Sequence, residues 1–251
     1  MKLTALGTGT CAATLRRSCS AYLIEAGGDR VLLDAGCGTI RRMMEVEADY
    51  REIDVIACSH THPDHVADLA PLLMALRYTP GYRRTRPLVL AGPRGFSAFY
   101  RALGAAYGET TISADGYDLR IVELHEERLV LGGWSLSART MAHSRQTNGY
   151  RIEHEGRVLA YSGDSGPCDA LVELCAGADL ALIECSFPDE SPVEGHLTPS
   201  QAGRIAARAG CKKLLLTHFY PPMEAVDPLP LCRRYFDGEI EIAGDLSTYD
   251  V

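Results

Sequence analysis

The chain has 251 residues, of which 46% are hydrophobic and 23% are charged, and its formal net charge is −8. This composition is typical of an ordinary globular protein, and the acidic charge argues against a protein that coats nucleic acid through charge alone. No apolar run approaches the roughly 20 residues of a membrane span, and the start at Met1 lacks a signal-peptide pattern, so we expect a cytoplasmic protein.

The chain opens with a predicted strand over residues 2–6, which ends in a glycine-threonine turn. A hairpin follows, with strands over residues 20–25 and 30–33. The second of these strands ends at Asp34, which we interpret as a turn cap, with support of a nearby site as the alternative.

Helical periodicity predicts helices over residues 39–47, 66–77, 95–106, 169–176, 199–209 and 228–236. Strand patterns cover residues 53–58, 88–91, 119–124, 128–131, 134–141, 150–154, 158–162, 180–184, 213–217 and 239–243. Both halves combine strands with helices, and no linker separates them. We therefore expect two sheets packed face to face with helices outside, in a single domain over residues 1–251.

Nine cysteines are scattered along the chain without any CxxC pair. Most lie in apolar segments, as Cys58 and Cys185 do. This usage favours reduced, mostly buried thiols in a cytosolic protein over a disulfide framework or a structural zinc site.

The most informative stretch is Ser-His-Thr-His-Pro-Asp-His at residues 59–65, directly after the predicted strand 53–58. It places the imidazoles of His60, His62 and His65 and the carboxylate of Asp64 within six residues. Zinc takes three or four such nitrogen and oxygen donors, and a buried strand would point them out of one end of a sheet. The stretch therefore predicts a metal site.

More candidate ligands follow later predicted strands. His143 comes after strand 134–141, Asp164 after strand 158–162, and His218 ends strand 213–217. His196 lies in a loop before the predicted helix 199–209. Because ligand-type side chains recur at strand ends, we expect them to meet at one rim.

These residues resemble the metallo-β-lactamase superfamily, and within it the RNase Z-like branch, over almost the whole chain. The signature His-x-His-x-Asp-His of that family is met by residues 60–65. The resemblance implies an α/β fold of four layers, an αββα sandwich, with two metal ions at one edge between the sheets.

The resemblance also implies which side chains hold two divalent ions, with zinc expected first and manganese second. They are His60, His62 and His143 for the first ion, Asp64, His65 and His218 for the second, and Asp164 as the bridge between them.

Two further residues match the catalytic loop of this branch. His196, in Gly-His-Leu-Thr, resembles its catalytic histidine, and Glu184 resembles the glutamate that orients it. The implied activity is phosphodiester hydrolysis by a metal-bridging hydroxide, with Asp64 accepting a proton and His196 protonating the leaving oxygen. His125 and His154 match nothing in the family, and we interpret both as surface residues.

One departure from the family concerns the substrate. Members that act on tRNA precursors carry a long basic arm between the third histidine and the bridging aspartate. Only residues 144–163, a plain hairpin through Glu155, separate His143 from Asp164 here. We therefore expect small or cyclic phosphodiesters as substrates.

Three alternatives remain open. The first is 3′-tRNA processing, in which Arg83, Arg84 and Arg86 of a basic loop would grip the RNA. The second is hydrolysis of a lactone or thioester, and the third is a metal-bearing binding or signalling protein.

The resemblance also bears on the oligomeric state. Relatives are often dimers, and helix 66–77 is a candidate homodimer interface.

Overall fold

The computed structural model describes residues 1–251, and its elements fall into two halves. The first half contains β1 Lys2–Gly7, β2 Ala21–Ala26, β3 Asp29–Leu33, α1 Thr39–Glu45, β4 Val55–Ala57, α2 Pro63–Val66, α3 Leu69–Tyr78, β5 Leu88–Gly92, α4 Phe96–Tyr107, α5 Glu109–Ile112 and β6 Leu119–Glu123. The second half contains β7 Arg128–Leu131, β8 Trp134–Thr140, β9 Asn148–His154, β10 Arg157–Tyr161, α6 Asp169–Leu174, β11 Leu180–Glu184, α7 Pro199–Ala209, β12 Lys213–Thr217, α8 Pro228–Arg233, β13 Glu239–Ile242 and β14 Thr248–Asp250.

The strands form two seven-stranded sheets, in the orders β14-β1-β2-β3-β4-β5-β6 and β13-β12-β11-β10-β9-β8-β7. Within each sheet an antiparallel part adjoins a parallel part, β3 to β6 in the first and β10 to β13 in the second. Helices cover the outer faces, so the predicted four-layer αββα sandwich is confirmed. None of the helices combines the length and apolar character that a membrane span requires.

Strand β2 shows why this sequence makes four layers. Tyr22 and Ile24 face the core between the two sheets, whereas Ala21 and Leu23 face the core beneath the outer helices. Successive side chains of a strand point to opposite faces, so a strand buried on both faces reads as a continuous apolar run. A third core lies between the second sheet and α6 to α8.

Three features differ from the sequence predictions, and one of them is the one-turn helix α5, which has no predicted counterpart. The predicted helix 66–77 begins only at Leu69, as α3, and Val66 instead ends the separate short helix α2. The break falls at Asp68, whose amide donates to the Ala35 carbonyl and whose carboxylate accepts from the amides of Gly38 and Ile40. Strand β14 was not predicted. It is three residues long and pairs with the edge of β1, a length too short for a periodic pattern.

Candidate metal centre

Most of the predicted ligands follow strands that end at one edge of the sandwich. The carboxyl ends of neighbouring parallel strands meet at the same edge of a sheet, and this is where ligand sites form in such folds. The positions are residues 60–65 after β4, His143 after β8, Asp164 after β10 and His218 after β12. The predicted rim is therefore present, although its residues come from separate parts of the chain.

The first ligand group is His60, His62, His143 and Asp164, whose donor atoms all lie within 4.8 Å of one another. The Nδ1 atom of His62 is 2.9 Å from Nε2 of His60 and 3.4 Å from Nε2 of His143. The Oδ2 atom of Asp164 is 3.7 Å from Nε2 of His60 and 3.9 Å from Nε2 of His143.

The second ligand group is Asp64, His65 and His218. The Nε2 atoms of the two histidines are 3.2 Å apart, and Oδ2 of Asp64 is 3.7 Å from each of them. The Oδ1 atom of Asp164 is 3.3 Å from the same two nitrogens. The two oxygens of Asp164 thus face different groups, as the predicted bridge requires.

The tautomers of four histidines are set by their Nδ1 partners. His65 donates to Asp34, and His143 donates to the Gly195 carbonyl. Ser59 and Ser186 each donate to a carboxylate, so their hydroxyl oxygens are left to accept from His60 and His218. Every one of these rings therefore points an Nε2 lone pair into the cluster.

This arrangement fits divalent cations. The Nε2 atoms of His65 and His218 lie 3.2 Å apart, and in neutral rings both carry lone pairs, so no hydrogen atom lies between them. The buried Oδ1 atom of Asp164 has no hydrogen-bond donor. Imidazole and carboxylate donors in this number suit zinc, manganese and similar ions. The residues present therefore match the metal ions that the sequence predicts.

The electrostatics of the cluster also favour a cation. Burial lowers the pKa of His65, but the negative charges of Asp164 and Asp34 more than offset this and raise it well above its usual value. Burial raises the pKa of Asp164, yet it stays well below its usual range because His218 and His65 are positively charged when they carry protons in place of metal ions. Buried carboxylates that stay ionised create a strong attraction for positive charge at this edge.

Asp34 holds the metal-ligand candidate His65 through its Nδ1 atom, so the interpretation as a turn cap is wrong and the alternative, support of a nearby site, describes it. Its Oδ2 atom accepts from His65 at 2.7 Å, from the Tyr161 hydroxyl at 2.6 Å and from the Ser59 hydroxyl at 2.8 Å. Its Oδ1 atom accepts from the Ser59 amide at 2.6 Å. The side chain is fully buried, and the network fixes the orientation of His65.

We expect Asp34→Asn to weaken metal binding by about 10- to 100-fold, the usual effect of losing a carboxylate behind a metal-ligating histidine. Asparagine tolerates the left-handed backbone of this residue (φ 59°), so the fold should persist. Competition with a chelator measures the affinity, and a thermal melt checks the fold. Unchanged affinity would show that His65 needs no support from Asp34.

Two glycines let backbone approach the ligands closely. A Cβ atom on Gly36 would lie 2.2 Å from the carbonyl oxygen of Asp64, so only glycine fits there. Gly195 has a φ of +83° and offers its carbonyl to His143.

The glycine-threonine turn after β1 also contributes to the site. The amide of Cys11, which directly follows this turn, donates to Asp64 at 2.9 Å and so fixes the position of that carboxylate.

His196 and Glu184 lie beside both ligand groups. The Nδ1 atom of His196 is 3.1 Å from Oε1 of Glu184, and its ring centroid is 5.2 Å from that of His143 and 5.9 Å from that of His218. Burial lowers the pKa of His196, but its hydrogen bond to Glu184 outweighs this and raises it above the usual value. The pair is therefore placed to hold a proton near the metal ions.

Glu184 is fully buried and is held by several donors besides His196. The amides of Ser165 and Leu197 donate to it at 2.7 Å and 3.1 Å, and the Ser186 hydroxyl donates to it as well. These bonds satisfy a buried carboxylate and fix its position at the end of β11.

Two aromatic residues at the centre were missed by the sequence reasoning. Phe187 and Tyr220 stack with ring centroids 4.6 Å apart, and each lies within 5.8 Å of the His196 ring. They follow Glu184 and His218 by three and two residues, so tracing β11 and β12 past their last predicted site residues would have found them.

Other basic or imidazole groups lie outside the centre. His125 is exposed and His154 is half-buried, and neither belongs to a ligand group. Arg84 is 2% exposed and donates to the carbonyls of Arg51 and Ile53, just before β4, whereas the ligands follow β4.

The basic loop therefore lies at the opposite end of β4, about 20 Å of extended chain from His60. Arg86 pairs with Asp54 at the same end. Arg84 is occupied by backbone carbonyls, so the prediction that it grips RNA is wrong, whereas the exposed Arg83 keeps its predicted role in that alternative.

Comparison with known proteins places this geometry in a family. The chain matches the β-lactamase superfamily domain over residues 29–219. Protein ML1173 of Mycobacterium leprae is 35% identical over 260 residues, covering 100% of this chain and 89% of the relative. A ribonuclease Z of Kineococcus radiotolerans is 32% identical over 276 residues, covering 89% of this chain and 85% of the relative.

Among solved structures, the metallo-β-lactamase fold protein YhfI of Bacillus subtilis superposes with a TM-score of 0.84 at 23% identity, over 99% of both chains. That likeness concerns the fold, whereas the domain match and the two relatives concern the family. The chain belongs to the metallo-β-lactamase superfamily, in its RNase Z-like branch, and is a metal-dependent hydrolase.

Proposed function

We propose that the protein is a two-metal phosphodiesterase that acts on small or cyclic phosphodiesters. The observation that carries this proposal is the His196–Glu184 pair beside two adjoining ligand groups. A phosphodiester needs a proton for its leaving alkoxide, and a histidine held by a buried carboxylate supplies one. The similarity to a ribonuclease Z, an enzyme class that cleaves phosphodiesters, supports the same choice.

The roles of the residues follow from their positions. Divalent ions held by this donor set would acidify a water molecule and neutralise charge on the phosphoryl oxygens. His196 would donate its Nε2 proton to the leaving oxygen from its charged, doubly protonated form. Glu184, which accepts from Nδ1, would stabilise that form and fix the orientation of the ring. Oδ2 of Asp64 lies 3.7 Å from the Nε2 atoms of His65 and His218 and accepts from the Cys11 amide, so Asp64 would hold one ion and would accept the proton of the attacking water.

The structure also supports a small substrate. Residues 144–163 form β9, a tight turn and β10, and no arm projects between His143 and Asp164. A cavity of about 810 Å³ opens beside His143 and His196, lined also by Pro167, Val193 and Glu194. Small-molecule pockets typically measure about 300–1,000 Å³, and this cavity falls within that range.

A panel of substrates tests the proposal. We expect metal-dependent hydrolysis of bis-aryl phosphate and of cyclic nucleotides, with little cleavage of a tRNA precursor under the same conditions. Efficient and specific cutting of the precursor 3′ of the discriminator base would favour the second candidate, 3′-tRNA processing, which the ribonuclease Z relative supports. Fast hydrolysis of a lactone or thioester that ignores His196 would favour an esterase of the same fold.

Three finer points belong to the same proposal. We infer zinc as the first choice of metal and manganese as the second, which metal analysis of protein from cells decides. Nine free cysteines, five of them buried, suit a reducing cytoplasm. The exposed side chains of Met74 and Tyr78 on α3 suit a homodimer interface, which light scattering would detect as a doubled mass.

A further inference from the structure

Two cavities adjoin on the side of the metal centre that faces α7. The first, of about 810 Å³, reaches His143 and His196, and the second, of about 430 Å³, is lined by Arg204 and Arg208. Pro167 and Gln201 line both cavities. A groove therefore runs from the candidate proton donor to a pair of guanidinium groups.

Helix α7 connects the two ends of this groove, because it follows the loop of His196 and carries both arginines. It begins directly after the loop of His196, and a capping box between Thr198 and Gln201 fixes its first turn. Arg204 and Arg208 follow Gln201 by three and seven residues, which places them on the same face at about 5 and 10 Å along the helix axis. The distance between His196 and the arginines is thus set by rigid structure.

The two arginines differ in how they are held, and both keep donors free. The guanidinium of Arg204 lies 4.3 Å from the centre of the Tyr235 ring, and one nitrogen donates to the Tyr235 hydroxyl at 2.8 Å. Arg208 pairs with Asp169 at 2.7 Å, but their side chains are 60% and 82% exposed. An exposed pair of this kind is weak, so an anion can compete for Arg208.

Charge along the groove alternates. Under the proposed function the metal centre takes a phosphate. The rim of the first cavity carries the exposed carboxylate of Glu194, and the second cavity carries the two arginines together with Asp169. Glu194 disfavours a phosphate beside it but accepts a neutral, hydrogen-bonding group. Arginine forks match phosphate oxygens in two parallel hydrogen bonds.

We propose that this groove binds a second phosphate, one nucleoside beyond the scissile one, so that the preferred substrates are dinucleotides or short oligonucleotides. The neutral nucleoside lies in the first cavity, and its outer phosphate binds Arg204 and Arg208. This inference rests on the proposed phosphodiesterase activity and specifies its substrate class.

Equilibrium binding tests the inference without turnover. Calorimetry on the metal-loaded protein compares adenosine 3′,5′-bisphosphate with adenosine 5′-monophosphate. We expect the wild-type protein to prefer the bisphosphate by about tenfold, with the preference falling as salt rises. The double variant Arg204→Gln/Arg208→Gln should lose most of this preference, whereas the control Arg101→Gln on α4 should keep it.

A second variant tests the same site through an expected increase in the preference for the bisphosphate. Asp169→Asn removes the carboxylate that competes for Arg208 and should raise the preference for the bisphosphate; the residue is exposed, so the fold should tolerate the change. Equal preference in the wild-type protein and the double variant would overturn the inference. Hydrolysis of bis-aryl phosphate, measured in parallel, decides the proposed function separately, because that substrate carries no second phosphate.

Discussion

Asp164→Asn is expected to lower kcat/KM for a phosphodiester by about a thousandfold or more and to leave at most one tightly bound ion per chain. Asp164 is the residue whose two oxygens face different ligand groups, with Oδ1 3.3 Å from His65 and Oδ2 3.7 Å from His60. Asparagine keeps the shape but removes the negative charge and offers one oxygen instead of two. Metal analysis after gel filtration, together with hydrolysis rates, measures both effects.

His154→Ala is the matched control for this change. His154 ends β9 at the opposite edge of the sandwich and contacts the Gly133 carbonyl at 3.1 Å. We expect this variant to keep both its metal content and its activity. An Asp164→Asn protein that still bound two ions and hydrolysed phosphodiesters at the wild-type rate would disprove the bridging role.

The second large effect is expected for His196→Ala, which should lower kcat for a diester with an alkoxide leaving group by about 10²- to 10⁴-fold. The seven assigned ligands remain in this variant, so its metal content should match that of the wild-type protein. A bis-aryl phosphate releases a phenolate that needs little protonation, so its hydrolysis should suffer much less. Equal losses on both kinds of substrate would argue against His196 as a proton donor.

A double-mutant cycle separates the role of Glu184 from simple support of the fold. Glu184→Gln should lower kcat with little change in KM, because it disturbs the proton donor rather than substrate binding. In the His196→Ala background the same change should cost little more, since residues that act as a unit show non-additive effects. Additive losses would instead show that Glu184 acts through Ser165, Ser186 or Leu197, which also donate to it.

The fold and the ligand cluster were readable from the sequence because their signals are local. The donors of residues 60–65 stand together in the chain, and apolar runs mark the strands that end at His218 and Asp164. Both outer layers of helices also follow from periodicity. The assigned roles of the site residues remain predictions that the variants above test.

What the sequence did not reveal depends on contacts between distant residues. The role of Asp34 is defined by Tyr161, which lies 127 residues away, and a turn cap was the reasonable interpretation without it. The break between α2 and α3 comes from a bond between Asp68 and Ala35. Arg84 looked like a surface cation in a basic loop, yet the fold buries it among carbonyl oxygens.

The groove toward Arg204 and Arg208 was hidden for a related reason. Helical periodicity places both arginines on the outer face of α7, which on its own indicates a solvated helix. Only the packing of the segment after Asp164 against α7 turns that face into the wall of a cavity continuous with the metal centre.

The central claim is that two divalent ions, bound together at this edge, are used to cleave phosphodiesters. A titration of metal-free protein with zinc, and separately with manganese, tests it most directly when bound metal and bis-aryl phosphate hydrolysis are measured on the same samples. The account predicts that activity appears as the second ion binds and reaches its limit at two ions per chain. Protein that holds two ions and cleaves lactones or thioesters, while every phosphodiester stays intact, would contradict it.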